Sequence, residues 1–307
     1  MRVMLNRMTD MTTANPAMPD GVFCRPPQLR NTLHAAWRGF RVACHISYGM
    51  LLVSIFPLLK KSTQQHIVKY WSRKLLDILH VGLETQGYYH PVTAQGTLLV
   101  ANHISWLDAV AMNAVLPAYF VAKSEVGNWL FLGWIFRGIH TLFIKRDMRL
   151  DTARINHQVA GMLGRGEYVA VFPEGTTTDG TQLGHFHSSL LQAPVDGGAA
   201  ICPVAIRYHD GTGQINFDAA FVGDITFIQS LWKILCGPAL HVTLVYLPPL
   251  PSTGKNRRML ASEAQLAIHT ALAKLSYSHF RPASDSTIAL TWRDAILPVT
   301  RAYFINS

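Results

Sequence analysis

Between residues 97 and 246 short apolar runs alternate with longer stretches of helical period, and this alternation constrains the fold more than any other feature of the chain. Runs at 97–101, 119–122, 141–144, 168–172, 201–208 and 241–246 read as strands. They carry so little polar interruption that both faces of each must be covered. Helices of useful length fall between several of them, which is the pattern of βα units. The expected fold class is therefore α/β, a mainly parallel sheet flanked by helices. Residues 151–163 read as one such helix, stopped by Gly164 and Gly166. Their G-x-x-G-x-G reads as a helix end rather than a nucleotide loop, and no P-loop or dinucleotide fingerprint occurs elsewhere.

Ahead of the sheet, residues 42–59 (VACHISYGMLLVSIFPLL) are apolar except at His45, Ser47, Ser54 and Pro57. This length lies at the lower edge of the roughly 17–25 residues a spanning helix needs. Spanning, half-entry into a bilayer, and burial as a core helix with basic ends all remain open. Arg38 and Arg41 precede the stretch, while Lys60, Lys61, Lys69, Arg73 and Lys74 follow it. The stronger positive side is C-terminal, so an inner-membrane protein of this pattern would keep its α/β domain in the cytoplasm. A second helix is expected at 64–83, with Trp71, Leu75, Leu76 and Leu79 on one side. The expected organisation is a disordered 1–30, an N-terminal membrane-binding helical segment at 31–90, the α/β domain at 91–278, and a tail at 279–307 with no period and no nameable site.

Composition supports a lipid-facing chain. Hydrophobic residues make up 49% of the 307 and charged residues 15%, against roughly 25% charged in an average soluble domain. The formal charge of +9 predicts attraction to anionic lipid head groups or acidic acyl carriers. Nucleic acid is not an expected partner, because the basic residues are scattered and no zinc-finger or aromatic RNA-binding signature is present. Cys24, Cys44, Cys202 and Cys236 are widely spaced, which suggests neither a zinc site nor a disulfide framework.

Ligands of open α/β sheets bind beyond the carboxyl ends of the strands, so polar residues at those points are the first candidates. After the run at 97–101 come Asn102, His103, Ile104, Ser105, Trp106, Leu107 and Asp108. An imidazole can take a proton near neutral pH, and a carboxylate five residues on can fix its tautomer and stabilise the imidazolium. Asp108 also fits a capping box with Ser105 as N-cap. The two readings are compatible, since a helix starting there points Asp108 back towards His103. After 168–172 come Pro173, Glu174, Gly175, Thr176 and Thr177. A tight turn there exposes N–H groups beside hydroxyls, and Glu174 can accept from a polyol hydroxyl; the alternative is a turn that only punctuates the sheet. After 141–144 come Lys145 and Arg146, where an arginine can clamp a phosphate or carboxylate, or simply carry a solvated charge.

Taken in order, NHISWLD, GIHTLFIKRD, VFPEGT and ICPVAIRY resemble the four sequence blocks of the glycerolipid acyltransferase family that includes bacterial lysophosphatidate acyltransferases. KSEVGNWLFLGW at 123–134 is similar to the family's segment between the first two blocks. The resemblance implies an O-acyltransferase with an N-terminal membrane-binding helical motif on an α/β domain. Its acyl donor would be acyl-CoA or acyl carrier protein as co-substrate, with no cofactor and no metal, and its acceptor a membrane lysophospholipid. By block, His103 would be the general base and Asp108 its partner. Arg146 would hold the acceptor's anionic head, and Glu174 and Gly175 would shape the acceptor pocket. Thr176, Lys145 and Asn102 are counted with them as substrate-binding, and Pro203 ranks below. Many relatives carry a Phe-Lys-x-Gly element where this chain has Phe186, His187, Ser188 and Ser189. That variant resembles family members acting on lyso-ornithine lipid, which is therefore the alternative to 1-acyl-sn-glycerol-3-phosphate as acceptor.

Two rival classes remain. A metal-dependent hydrolase would recruit His103, Asp108, His185 and His187, but His185-x-His187 is not the i, i+4 pair of H-E-x-x-H. A non-enzymatic lipid-binding protein would use the basic surface alone. No G-x-S-x-G nucleophile elbow occurs, which argues against a serine hydrolase and for direct transfer.

Overall fold

The structure, a computed structural model, describes residues 29–87, 96–128, 132–145 and 148–278. Residues 1–28, the tail at 279–307 and Arg146 therefore lie outside the described residues, and helix α1 already begins at Leu29.

Two helices lead into the sheet. α1 runs Leu29–Ile55 and passes into a 3-10 turn at Phe56–Leu58. Pro57 sits in that turn and cannot donate to the α-helical ladder, so the helix stops there. α2, Lys61–Leu79, ends on His80 in the left-handed conformation (φ 54°).

The sheet then forms from β1 (Val81–Gly87), β2 (Leu98–Ala101), β3 (Tyr119–Lys123), β4 (Leu142–Ile144), β5 (Val169–Val171), β6 (Ile201–His209) and β7 (Leu240–Tyr246). Its order is β1-β7-β6-β2-β5-β3-β4, and every neighbouring pair is parallel except β6 and β7. The helices of the α/β unit are α3 (Leu107–Val115), α4 (Leu132–Gly138), α5 (Arg149–Gly164), α6 (Gln192–Gly197), α7 (Phe227–Cys236) and α8 (Arg257–Ser278). All six expected strands are present within a residue or two of their expected bounds. β1 was not expected, and it lengthens the sheet at one edge.

Side chains of successive strand residues point to opposite faces, and the core divides accordingly. Leu99 and Ala101 of β2 join Cys202, Val204, Ile206 and Tyr208 of β6 in one apolar cluster with α2, α3 and α7. Leu98 and Val100 join Ile201 and Ala205 in a second cluster under α5 and α8. The central strand β2 is thus buried on both sides, and the loop leaving its carboxyl end is held by a fully packed core. A third cluster of Val53, Phe56 and Ile135 binds α1 to α4.

Candidate active site

The chain leaves β2 at Ala101 and runs irregularly through 102–105 before α3 starts at Leu107. The first N–H groups of a helix have no partner inside it, and a carboxylate in the first turn can satisfy them. Asp108, in that first turn, instead reaches back to the loop ahead of the helix. Its Oδ2 accepts from the backbone N–H of Ile104 at 2.7 Å and of Ser105 at 3.0 Å. The same oxygen lies 2.8 Å from His103 Nδ1. Ser105 Oγ accepts from Leu107 N at 3.3 Å, although the cap position itself falls on Trp106. The capping arrangement and the His103–Asp108 pair are therefore one structure. Asp108 is 0% exposed, and the carboxylate at Nδ1 fixes the ring proton there. That leaves Nε2 as the basic nitrogen, and no hydrogen bond engages it among the described residues.

Further contacts hold His103 and Asp108 in place. Its ring stacks on Phe172 with centroids 4.1 Å apart and planes 10° apart, and Phe172 stacks in turn on Phe120. The backbone N–H of His103 donates to Glu174 Oε1 at 2.7 Å. Its carbonyl accepts from Thr178 N at 2.8 Å. On the far side of the carboxylate, the hydroxyl of Tyr208 donates to Asp108 Oδ1 at 2.8 Å.

The other expected site residues have contacts of their own. Glu174 does not present a free carboxylate to a ligand. It is buried, and its second oxygen accepts from Gly184 N at 2.7 Å, so it ties the turn after β5 to both His103 and the 184 segment. A Cβ on Gly184 would stand 2.5 Å from Glu174 Oε2, so a larger residue there would push the Glu174 carboxylate aside. Burial pushes the Glu174 carboxyl above its usual range, and the N–H groups of His103 and Gly184 oppose that shift. Asn102 is likewise not a ligand-facing group. Its amide donates to Ile206 O at 2.9 Å and accepts from Ile206 N at 2.7 Å, stitching the end of β2 to β6. Gly175 occupies the left-handed region (φ 77°) and lines the cavity together with exposed Thr176. Lys145 is exposed, and its backbone N–H donates to Asp151 Oδ2 at 2.7 Å. Pro203 pairs with Val100 deep in the sheet. His185 and His187 meet edge to face at 5.3 Å on the surface. No group of three or more His, Cys, Asp or Glu side chains suited to a metal occurs among the described residues.

His103 opens onto a cavity of about 390 Å³. The N-terminal helices supply one wall, through Val53, Phe56 and Trp71, and the sheet supplies another, through Phe120 and Phe172. Trp106 and Phe227 pack edge to face at 4.9 Å between α3 and α7 and line it too. The lining is mostly apolar; His103 and Lys123, at the end of β3, are its titratable side chains among the described residues. Lys123, Phe172 and Tyr208 were not singled out from the sequence. Lys123 and Phe172 each lie at the carboxyl end of a strand, the position that flagged the other candidates, whereas the role of Tyr208 depends on which face of β6 it takes.

A family model described as "Acyltransferase" matches residues 83–207. The lyso-ornithine lipid O-acyltransferase of Pseudomonas aeruginosa is 36% identical over 209 residues, covering 68% of this chain and 79% of that protein. The 1-acyl-sn-glycerol-3-phosphate acyltransferase of Neisseria meningitidis serogroup B is 40% identical over 175 residues, covering 57% of this chain and 68% of that protein. The crystal structure of the 1-acyl-sn-glycerophosphate acyltransferase from Thermotoga maritima shares the fold, with a TM-score of 0.64 at 19% identity over 83% of this chain and 98% of that one.

Proposed function

The chain belongs to the acyltransferase family, and on that premise we propose that it moves a fatty acyl group from acyl-CoA or acyl carrier protein to the free hydroxyl of a lysophospholipid. The acceptor is 1-acyl-sn-glycerol-3-phosphate and the product phosphatidate. The observation that carries this reading is the His103–Asp108 pair opening onto an apolar cavity. His103 Nε2 takes the hydroxyl proton as the oxygen attacks the thioester carbonyl; the new C–O bond forms, the C–S bond breaks, and the proton passes to the departing thiolate. The balance needs no cofactor. The cavity accommodates acyl chain, while Lys123, Arg146, Lys145 and the turn at Gly175 and Thr176 hold the head group.

A lyso-ornithine lipid is the second acceptor reading. It is favoured by FHSS at 186–189 and by the 36% identical relative that carries that activity in its name. The two are separated by offering lysophosphatidate and lyso-ornithine lipid singly with a labelled acyl thioester and identifying the product. Labelled phosphatidate supports the first reading; label found only in ornithine lipid replaces it with the second.

Among the described residues, 32–58 is the one segment long and apolar enough to cross a bilayer. Yet α1 lies along the α/β unit. Arg38 donates to Leu235 O at the end of α7 and to Leu79 O at the end of α2, and Val53 abuts Gly138 of α4. These points are about 22 Å apart along the helix. A spanning α1 would carry Lys233 and Arg137 of the flanking helices towards the hydrocarbon, which is costly. Its outward stripe is Leu33, Trp37, Phe40, Tyr48, Leu51 and Ile55, all exposed. α7 adds Ile228 at 70% exposure and Trp232 at 45%. Neither helix contains an acidic residue. The protein therefore sits in the plane of the inner membrane's cytoplasmic leaflet, apolar stripe down, with α1 and α7 as the contact. Replacing both Ile228 and Trp232 by Glu weakens binding to anionic vesicles at least about tenfold, measured by co-sedimentation. Unchanged binding would remove α7 from the contact.

A further inference from the structure

Asp108 is the hub of the site, and one of its partners comes from far along the chain. Oδ2 serves His103 and two backbone N–H groups, all within five residues. Oδ1 receives the hydroxyl of Tyr208 at 2.8 Å, one hundred residues away on β6. Tyr208 is 2% exposed and does not line the cavity, and its hydroxyl is spent on Asp108. Its place is dictated by the sheet. Asn102 bonds both backbone groups of Ile206, two residues before Tyr208, so the end of β2 and the tyrosine are locked in register.

We propose that Tyr208 is a positioning residue for acyl transfer: its hydroxyl holds the Asp108 carboxylate in the orientation that faces His103 and sets how strongly that carboxylate pulls on the imidazole proton. The inference rests on His103 being the base. A hydrogen bond to Oδ1 spreads the carboxylate charge away from Oδ2, so less of it acts on His103. Burial keeps the phenol protonated by raising it well above its usual range, with Asp108 adding to the effect, so Tyr208 stays a donor. Among the described residues, the charged or titratable groups near His103 are Glu174, which takes its backbone N–H from the turn after β5, and Lys123, at the end of β3, which lines the same cavity. Neither contacts Oδ1 in the described hydrogen bonds, so Tyr208 acts on a side of the carboxylate that they do not reach.

The test is Tyr208→Phe in the full-length protein, assayed across pH with an acyl thioester and lysolipid. Without the donor, more negative charge faces the imidazole and favours its protonated form. The acid-side half-maximum of kcat/KM moves to higher pH, and kcat at its optimum falls roughly tenfold. Tyr246→Phe is the control: an equally buried tyrosine on β7, opposite Val204 and four residues along β6 from Tyr208. It loses a buried hydroxyl without touching Asp108, and its pH profile matches that of the unmodified protein. In an Asp108→Asn background, Tyr208→Phe costs less rate than it does alone, because the two act as one unit. A Tyr208→Phe profile that superimposes on the unmodified one, or a rate loss that is fully additive with Asp108→Asn, overturns the proposal. Full activity of a folded His103→Ala protein would instead sink the underlying assignment of the base, so the two failures are distinguishable.

Discussion

His103→Ala lowers acyl transfer roughly a thousandfold or more with both substrates saturating, while the protein remains folded. General-base catalysis by a positioned side chain contributes on the order of 10²- to 10⁴-fold, and in the proposed mechanism the same imidazole also returns the proton to the leaving thiolate. The fold survives because the side chain sits at a cavity mouth and is partly exposed. Its main packing partner is the single face of Phe172. The backbone contacts to Glu174 and Thr178 do not depend on the side chain. The check is product formation by thin-layer or mass analysis beside a thermal melt. A rate within about tenfold of normal, with an unchanged melt, would mean that another group takes the proton.

Asp108→Asn is expected to lower kcat roughly a hundredfold to a thousandfold with little loss of stability. The amide is isosteric and can keep every contact. Its oxygen can still accept from Ile104 N, Ser105 N and His103 Nδ1, while its NH₂ turns to the Tyr208 oxygen, whose hydroxyl rotates to accept. What disappears is the negative charge that, in the proposed mechanism, stabilises the imidazolium formed as the hydroxyl loses its proton. Activity and melting temperature therefore separate. Loss of both together would assign Asp108 to folding alone. Asp108→Ala, by contrast, strands two buried N–H groups at the start of α3 and is expected to cost stability as well.

The sheet was legible in the chain because its strands are buried on both faces, and continuous apolar runs such as LLVA and ICPVAI can hardly be anything else at that length. β1 was not legible. Its sequence, VGLETQG, has few β-branched or apolar residues, and it is held by main-chain pairing to β7 at an edge where four of its seven residues are exposed. The antiparallel pairing of β6 with β7 was equally hidden, since strand direction follows from the path of the intervening chain and not from the strands' own residues.

The site divides in the same way. His103 and Asp108 were readable because they are five residues apart and share one helix start, so local geometry brings them together. Glu174 was expected to offer its carboxylate to a ligand, and in the structure both its oxygens accept backbone N–H groups. A carboxylate beside a glycine turn looks available, and only the approach of Gly184 and of the His103 backbone shows it to be occupied. Tyr208 was in plain view within ICPVAIRY, yet its meeting with Asp108 depends on sheet order, which places β6 beside β2. Long-range partners of this kind carry no spacing signal.

An imidazole placed like His103 has the chemistry of a base or of a nucleophile, and the proposed transfer needs the base. Mixing the full-length protein with an acyl thioester alone, and reading its intact mass before and after adding a lysolipid, distinguishes them. The predicted result is a protein mass that never changes, with thiol released only once the acceptor is present. A protein heavier by one acyl group before any acceptor is added, in a form that His103→Ala abolishes, would contradict it.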